Sequence, residues 1–221
     1  MIPTLRVFIG YEERHAVAYD VLSYSLRKHA TIPVSVTPLE LRQLAFDRPR
    51  DPLQSTEFTY SRFLVPELCE YRGVALYLDL DMLCLADVAE IAALPMDGLA
   101  LRVVKQEHRP VAIVKMDGRV QTSYPRKNWS SAMLLNCEEL RLWTRDAVRE
   151  RSGTWLHQFA EIPDTKIGEL PRGWNDLDVL APATRLLHFT AGGPWLAEHR
   201  DHPHASLWGR YHAELLARLQ T

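Results

Sequence analysis

Cysteine is scarce in this sequence, and the few cysteines present are poorly spaced for a covalent framework. The 221-residue chain has three of them, Cys69, Cys84 and Cys137, which are far apart and odd in number. That pattern excludes a disulfide-stapled scaffold and a C-x-x-C metal knuckle. We therefore expect three buried thiols in a chain that resides in a reducing compartment.

An excess of charge of one sign is also missing. The 26 Lys and Arg residues nearly balance the 28 Asp and Glu residues, which leaves a formal net charge of -2. Nucleic-acid-binding domains normally carry a basic excess, so the composition predicts no nucleic-acid partner. Any phosphate that the protein binds must be met by local groups.

Long hydrophobic runs are absent as well. The longest apolar stretches are about as long as a strand, well short of the roughly 18 residues expected of a membrane span. The N-terminus places Thr4 and Arg6 inside a short apolar run and lacks the pattern of a secretory signal. We expect a cytoplasmic protein without a transmembrane segment, for which only weak contact with an anionic membrane is left open.

Short apolar segments alternate with helical patterns along the chain. Strands are predicted at residues 5–10, 33–39, 74–78, 98–104 and 132–135. Helices are predicted after the first of these strands and at residues 60–69, and residues 42–57 have the polar, proline-bearing composition of a surface loop. This alternation favours an α/β fold with an open, mostly parallel sheet flanked by helices, whose ligands bind beyond the carboxyl ends of the strands.

Two carboxylates directly follow the most apolar of the predicted strands. Asp79 and Asp81 are separated by Leu80, which points to the opposite side, so both carboxylates can face one ligand. Hard oxygen ligands suit Mn²⁺ or Mg²⁺, which keeps coordination positions open for a diphosphate. A D-x-D tripeptide alone is also common as a helix cap or as a pair of loop residues. The flanking residues therefore have to distinguish a metal site from these alternatives.

Those flanks extend the pattern. Residues 61–68 are SRFLVPEL and residues 74–82 are VALYLDLDM. Together they resemble the donor-site core of glycosyltransferase family 8, in which a helix bearing R-[FL]-x-[IL]-P-E-L precedes Y-L-D-x-D. The resemblance implies a GT-A fold, a nucleotide-sugar donor, usually UDP-linked, bound through Mn²⁺, and transfer with retention of configuration. It implies that Asp79 and Asp81 are metal and donor ligands and that Arg62 is a donor-site cation.

Three later segments also resemble motifs of that family. They are WSSAMLLN at residues 129–136, LPRGWN at residues 170–175 and HFTAGGPW at residues 188–195. By this resemblance His188 is the third metal ligand, and the small residues Ser130 and Ser131 lie where the backbone approaches the sugar. A core histidine is the alternative interpretation of His188, which ends an apolar run.

The last motif departs from the family pattern, because Gly193 stands where the family has a lysine that holds the diphosphate. We predict that Gly192 and Gly193 present backbone N–H groups to the anion. Alternatively, a charge comes from another loop, for which the candidates are Lys105, Arg126 and Lys127.

Gln158 and Tyr11 are candidates on weaker grounds. The glutamine that lies near the reacting carbon in the family is matched by Gln158 without its acidic neighbours, so Gln158 and Asp81 are the catalytic candidates. Tyr11 follows the first strand, where the family contacts the nucleotide base, and its ring can stack on uracil. A helix-surface glutamine and a plain turn tyrosine are the alternatives.

The C-terminal part has a helical pattern of its own. Apolar residues recur every four positions after a histidine-rich turn whose spacing does not match a zinc site: Leu207, Tyr211, Leu215 and Leu219 follow His199, His202 and His204. We predict a GT-A-like domain over residues 1–196 and an amphipathic helical extension over residues 197–221 that packs on it.

The sequence therefore predicts a metal-dependent glycosyltransferase that moves a sugar from a UDP-sugar to a carbohydrate or other hydroxyl acceptor. Mn²⁺ or Mg²⁺ on Asp79, Asp81 and His188 would stabilise the leaving diphosphate. Two alternatives stay open. One is a haloacid-dehalogenase-like phosphohydrolase, since a strand followed by D-x-D also describes its nucleophile loop. The other is a non-catalytic nucleotide-sugar binding protein, since the diphosphate lysine is missing.

Overall fold

A computed structural model of the chain describes residues 4–51, 54–106 and 126–220. The strands in these ranges are β1 (Leu5–Gly10), β2 (Val34–Leu39), β3 (Val74–Leu78), β4 (Met82–Cys84), β5 (Leu101–Val103), β6 (Ala132–Asn136), β7 (Ile167–Glu169), β8 (Asp176–Leu177) and β9 (Leu186–His188). The α-helices are α1 (Ala16–His29), α2 (Leu41–Leu44), α3 (Phe58–Ser61), α4 (Val65–Leu68), α5 (Ala89–Ala92), α6 (Arg145–Glu150), α7 (Gly153–His157) and α8 (Ala205–Leu219).

Six strands form the central sheet, in the order β2-β1-β3-β6-β5-β7. β1 pairs in parallel with β2 and β3, and β5 pairs in parallel with β7. β6 is antiparallel to both of its neighbours, β3 and β5. Five strands therefore run in one direction and one is reversed, which confirms the predicted α/β fold with a mostly parallel sheet.

Both faces of this sheet are covered. Successive residues of β3 alternate between two apolar clusters: Ala75 and Tyr77 belong to one, and Leu76 and Leu78 belong to the other. The second of these clusters also includes residues of α1 such as Leu22. A strand buried on both faces has to be continuously apolar, which explains the sequence VALYL.

A smaller sheet, in the order β4-β9-β8, adjoins the carboxyl end of β3. The chain leaves β3 at Leu78, passes through residues 79–81 and enters β4 at Met82, which pairs with His188 at the end of β9. This short connection places the acidic pair between the two sheets. Strands of two or three residues carry too little periodicity to be recognised in the sequence, and none of the three is predicted there.

Several predicted bounds differ from those observed. The helix expected at residues 60–69 is a run of three short pieces, α3, the 3-10 turn Arg62–Leu64 and α4. Pro66 has no N–H to donate to the carbonyl of Arg62, so α-helical hydrogen bonding is interrupted there. The expected loop at residues 42–57 begins inside the short helix α2.

The C-terminal helix α8 packs against α1 and the small sheet. Trp208 and Tyr211 of α8 join a third apolar cluster with Val21, Leu83 and Leu187. In the turn before α8, the ring of His202 packs against Phe189. None of the described helices has the length and apolar character needed to cross a bilayer.

Candidate functional site

The site is built where β3 ends. The backbone N–H of Asp79 donates to the carbonyl of Ser131 at 2.9 Å, and the carbonyl of Asp81 accepts from the N–H of Phe189 at 2.8 Å. Between the two acids, Leu80 is buried in the apolar cluster that contains α1. The backbone of the acidic pair is therefore bonded both to the segment before β6 and to the residue after β9.

His188 completes a three-residue cluster. One ligand atom from each of Asp79, Asp81 and His188 lies within 4.8 Å of the others, and this is the one group of that kind among the described residues. His188 Nε2 is 3.2 Å from Asp81 Oδ1. The structure thus brings together the three residues that the sequence predicts as metal ligands, two from the connection between β3 and β4 and one from the end of β9.

Asn175 orients the imidazole of His188. Its amide nitrogen donates to Ser131 Oγ at 2.9 Å and to the carbonyl of Asn128 at 3.1 Å, so its oxygen is the acceptor for His188 Nδ1 at 2.9 Å. With the proton on Nδ1, the neutral ring presents the lone pair of Nε2 to the two carboxylates. This is the tautomer that a metal-binding histidine needs.

The cluster fits a divalent cation. Asp81 Oδ1 is buried and has no well-aligned hydrogen bond among the described residues. Two buried carboxylates whose oxygens lie this close also repel each other, and a divalent cation between them would relieve that repulsion. Two carboxylates and one imidazole form a donor set that suits Mn²⁺ or Mg²⁺ with coordination positions left for a ligand.

Arg62 is buried beside the cluster, with 6% of its surface exposed. Its Nη2 lies 3.1 Å from Asp79 Oδ1, and its Nη1 donates to the carbonyl of Ser130 at 2.8 Å. The hydroxyl of Tyr77 donates to the same Asp79 oxygen at 2.6 Å. Arg62 therefore lies beside the cluster and pairs with Asp79, and its role as a donor-site cation stays a prediction.

Burial and charge shift the ionisation of the three cluster residues. Burial raises the pKa of Asp79 above its usual value, although Arg62 opposes this effect. Burial also raises the pKa of Asp81, but the charge and the hydrogen bond of His188, together with smaller contributions that include Arg62, lower it by more, so the net pKa is lowered. For His188, burial lowers the pKa, whereas the charge and hydrogen bond of Asp81 and the charges of Asp79 and Asp178 together raise it by more, so the net pKa is raised. The shifts of Asp81 and His188 thus share a cause, which is the attraction between the carboxylate and the imidazole.

Ser130 and Ser131 both form hydrogen bonds beside the cluster of Asp79, Asp81 and His188. Ser131 Oγ donates to the carbonyl of Asn128 at 2.6 Å, and Ser130 Oγ is 2.8 Å from His157 Nδ1. His157 links α7 to the site, and its ring packs edge-on against Phe63. Sequence reasoning does not single out His157, whose available signal is its position next to Gln158.

Gln158 immediately follows α7. Its carbonyl accepts from Arg126 Nη1 at 2.5 Å, and its N–H donates to the carbonyl of Thr154 at 3.0 Å. The residue is partly buried, and His157 connects this part of the chain to Ser130. Through His157, the segment that contains Gln158 is therefore joined to Ser130 beside the cluster.

Tyr11 lies in the turn after β1, where it is partly buried and contacts Tyr19 edge-on at 5.4 Å. The adjacent Glu12 is buried and accepts from the N–H of Glu57 at 2.7 Å. That bond ties the turn after β1 to the start of α3, the segment that leads to Arg62.

The two glycines after His188 are explained by packing. Gly192 has a φ of +117°, and a Cβ there would lie 2.5 Å from His199 Nε2; a Cβ on Gly193 would lie 1.8 Å from the Trp195 ring. A lysine at position 193 would therefore overlap the indole. The N–H of Gly192 already donates to the carbonyl of Phe189 at 3.1 Å, so the Gly192 member of the predicted N–H pair has an internal acceptor.

The alternative cations differ in their surroundings. Arg126 forms an ion pair with Asp164, and Lys105 is exposed after β5. Lys127 is buried, with 3% of its surface exposed, next to Asn128. Lys127 is therefore the most buried of the three, and the carbonyl of the residue after it, Asn128, accepts hydrogen bonds from Asn175 and Ser131.

Comparisons with known proteins extend these observations. A family model described as Glycosyl transferase family 8 matches residues 8–177. Protein CDI of Arabidopsis thaliana is 40% identical in an alignment of length 217, which covers 92% of this chain and 84% of that protein.

Solved glycosyltransferases share the fold. GlyE of Streptococcus pneumoniae TIGR4 matches with a TM-score of 0.63 and 13% identity, over 97% of this chain and 62% of that one. The galactosyltransferase LgtC, solved with donor and acceptor sugar analogs, matches with a TM-score of 0.59 and 13% identity, over 95% and 96%. The bifunctional glycosyltransferase WbbM matches with a TM-score of 0.59 and 14% identity, and this chain spans 52% of its length.

These structural likenesses establish the GT-A fold that the sequence motifs imply. The family model covers most of the chain, including the D-x-D pair and the segment around Asn175. A relative at 40% identity spans nearly the whole chain as well. The chain therefore belongs to glycosyl transferase family 8 and is a glycosyltransferase.

Proposed function

We propose that this glycosyltransferase moves a sugar from a UDP-sugar to a hydroxyl acceptor, with a divalent cation on Asp79, Asp81 and His188. The observation that carries the proposal is the buried Asp81 Oδ1, which lacks a well-aligned hydrogen bond and faces the Nε2 side of an imidazole oriented by Asn175. A cation bound there would neutralise the diphosphate and act as a Lewis acid for the leaving group.

In this proposal, the protein side chains organise the donor. Asp79 is held by Arg62 and Tyr77, so its carboxylate stays in one orientation without reorganisation when the donor binds. Ser130 and Ser131 are small residues beside the cluster, and they leave room for the sugar close to the backbone. Tyr11 stacks on the base at the turn after β1.

We assign retention of configuration to the reaction because of the family resemblance. Attack from the leaving-group face then needs no side-chain nucleophile. Gln158, or a backbone carbonyl near it, steadies the oxocarbenium-like centre. The bond from Ser130 to His157 supports this role, since it ties the residue before Gln158 to the donor side of the cluster.

Membership of the family removes the support for a phosphohydrolase, whereas the missing diphosphate lysine keeps a non-catalytic binder as a testable alternative. Lys127 is the cation that we assign to the diphosphate, because it is buried beside Asn128, whose carbonyl belongs to the site network. We place the reaction in the cytoplasm, in keeping with three free cysteines.

Calorimetric titration of UDP into the purified chain, with and without Mn²⁺, tests the proposal. We expect metal-dependent binding that Asp79→Asn and Asp81→Asn each weaken at least about tenfold, because each variant removes a charged ligand. The matched control is Asp146→Asn, which changes an exposed aspartate on α6 and should leave the affinity unchanged. UDP binding of equal strength without Mn²⁺, or no UDP binding at all, would contradict the proposed donor site.

A product assay separates an enzyme from a binder. Release of UDP from a panel of UDP-sugars, followed in the presence of hydroxyl acceptors, is expected to require Mn²⁺ and Asp81. Metal-dependent UDP binding without turnover of any UDP-sugar would favour the non-catalytic alternative.

A further inference from the structure

A second loop of the small sheet lies at the same edge as His188. β8 and β9 are parallel, and Leu177 at the end of β8 is the register partner of His188 at the end of β9. The N–H of Asp178 donates to the carbonyl of His188 at 2.9 Å, and the hydroxyl of Thr190 donates to the Asp178 carboxylate. Neighbouring strands are about 4.8 Å apart, and ligands of parallel strands lie beyond their carboxyl ends. The segment after β8 is therefore adjacent to any ligand that binds at His188.

That segment is apolar and exposed. It consists of residues 179–183, with the sequence VLAPA, all of which are exposed, and we call it the apolar loop. Val179 is 65% exposed and Leu180 is 42% exposed, so two of the five large apolar side chains that are exposed in the described part of the chain are neighbours here. Removing such side chains from water is favourable, and an apolar group bound to them would do so.

Hydrogen bonds and close packing fix the base of the apolar loop. The hydroxyl of Thr184 accepts from the N–H of Ala181 at 2.8 Å and donates to the carboxylate of Asp176 at 2.6 Å. On the other side, the backbone of Gly173 lies so close to the loop that a Cβ there would be 2.2 Å from the carbonyl oxygen of Ala183. The loop is therefore held in one shape, and a preorganised surface loses less entropy when a ligand binds.

The size and charge of the apolar loop indicate what kind of ligand it suits. A stable protein interface needs roughly 20 to 30 residues on each side, many more than this loop offers. Residues 176–184 include no Lys or Arg, and Asp176 and Asp178 precede the loop, so its charge does not suit an anionic membrane surface. A small uncharged molecule with an apolar part fits both observations.

We propose that the apolar loop binds the acceptor of the reaction and that this acceptor carries an apolar group beside its hydroxyl-bearing part. This inference rests on the proposed function, in which the donor diphosphate lies at Asp79, Asp81 and His188. The acceptor hydroxyl has to reach the sugar of that donor, and the apolar loop follows the strand next to His188. Val179 and Leu180 contact the apolar group and select the acceptor, and they take no part in making or breaking bonds.

The binding of matched glycosides to the full chain tests this proposal. The probes are n-octyl β-D-glucoside and n-octyl β-D-galactoside below their micelle-forming concentrations, and the two methyl glycosides are the comparison. Saturation-transfer NMR measures their affinities in the absence of any nucleotide. We expect at least one octyl glycoside to bind at least about tenfold more tightly than its methyl counterpart, the gain from burying about two methylene groups.

Two double variants locate the contact. Val179→Ser with Leu180→Ser should reduce the preference for the octyl glycoside to less than about threefold, because the apolar contact surface is lost. Both side chains are exposed, so the fold should be retained, which circular dichroism checks. Leu216→Ser with Leu219→Ser also replaces two exposed apolar side chains, but on α8, and this matched control should keep the full preference.

Equal affinities of the octyl and methyl glycosides for the natural chain would overturn the proposal, whether or not any variant folds. A preference that persists in the Val179→Ser, Leu180→Ser variant would overturn it as well. Sedimentation with phosphatidylcholine vesicles that this variant abolishes, without a preference for octyl glycosides, would assign the apolar loop to a bilayer instead. A failure of the proposed donor site would show separately, as absent Mn²⁺-dependent binding of UDP in calorimetry.

Discussion

Asp79 is a carboxylate that the surrounding residues keep in place although burial opposes its charge. It is 9% exposed, and burial raises its pKa. Its Oδ1 receives the hydroxyl of Tyr77 at 2.6 Å and lies 3.1 Å from Arg62 Nη2. A buried charge is tolerated only when it is paired and hydrogen-bonded, so these two partners are a condition for having an acid at this position.

Tyr77→Phe should show how much the hydroxyl contributes. The substitution keeps the ring in the core and removes one hydrogen bond to a charged group, so we expect a loss of about 2 kcal/mol in the free energy of unfolding. Urea unfolding of the purified protein measures it.

Tyr71→Phe is the matched control for that measurement. Its hydroxyl donates to the carbonyl of Trp143 at 3.5 Å, a long bond to a neutral acceptor, so its removal should cost less than about 0.5 kcal/mol. Equal losses for the two variants would show that the Tyr77 hydroxyl does not stabilise the buried carboxylate.

At the scale of elements, only part of the apolar stripe of α8 is buried. The stripe expected from the sequence contains Tyr211 and Leu219, and Tyr211 is buried whereas Leu219 is 75% exposed. Trp208, one turn before Tyr211, is buried in addition. The apolar cluster therefore supports the first part of the helix, and the last turn extends past it.

Gly209 is a weak point inside α8 that a single substitution should repair. It lies within the helix, and a Cβ at this position would meet nothing within 4 Å. Gly209→Ala removes backbone freedom from the unfolded chain, so we expect a gain of up to about 1 kcal/mol and a higher midpoint of thermal unfolding.

The contrasting variant is Gly192→Ala. Here the backbone has a φ of +117° and a Cβ would lie 2.5 Å from His199 Nε2, so the same chemical change should lower the midpoint. A stabilised Gly192→Ala variant would contradict the packing explanation of this glycine, and a destabilised Gly209→Ala variant would contradict the open space described in α8.

At the scale of the whole molecule, the features that can be predicted from the sequence are those formed by residues that follow one another in the chain. The apolar run of β3 and the acids after it are neighbours in the chain, so the D-x-D site and the α/β class can be recognised directly. The reversal of β6 cannot, because pairing direction is decided by the path of connecting segments rather than by the composition of the strand. The small sheet is also missed, since its strands have at most three residues.

The candidate site shows the same difference between features of neighbouring residues and contacts between distant segments. Asp79, Asp81 and His188 can be proposed from motifs in the right order, and the structure places their ligand atoms together. The orientation of His188 by Asn175 and the contact of His157 with Ser130 join residues from distant segments, which only the folded chain brings together.

The final prediction concerns whether the C-terminal helix belongs to the same cooperative unit as the rest. Trp208 packs in a cluster with Leu83 and Leu187, the strand neighbours of the acidic pair and His188, so we propose that residues 197–221 unfold together with the preceding domain. Trp208→Ala should then lower the stability of the whole chain by about 3 kcal/mol or more in one transition.

Far-UV circular dichroism and tryptophan fluorescence, followed in the same urea titration, measure whether that transition is single. Leu219→Ala, in the same helix but exposed, is the control and should change the stability by less than about 0.5 kcal/mol. A docked helix that formed an independent unit would instead lose its ellipticity in a separate step at lower urea, and the main transition of the Trp208→Ala variant would stay where it is in the natural chain. Coincident curves that shift together would mean that the cluster around Trp208 transmits the loss to the strands that hold the candidate metal ligands.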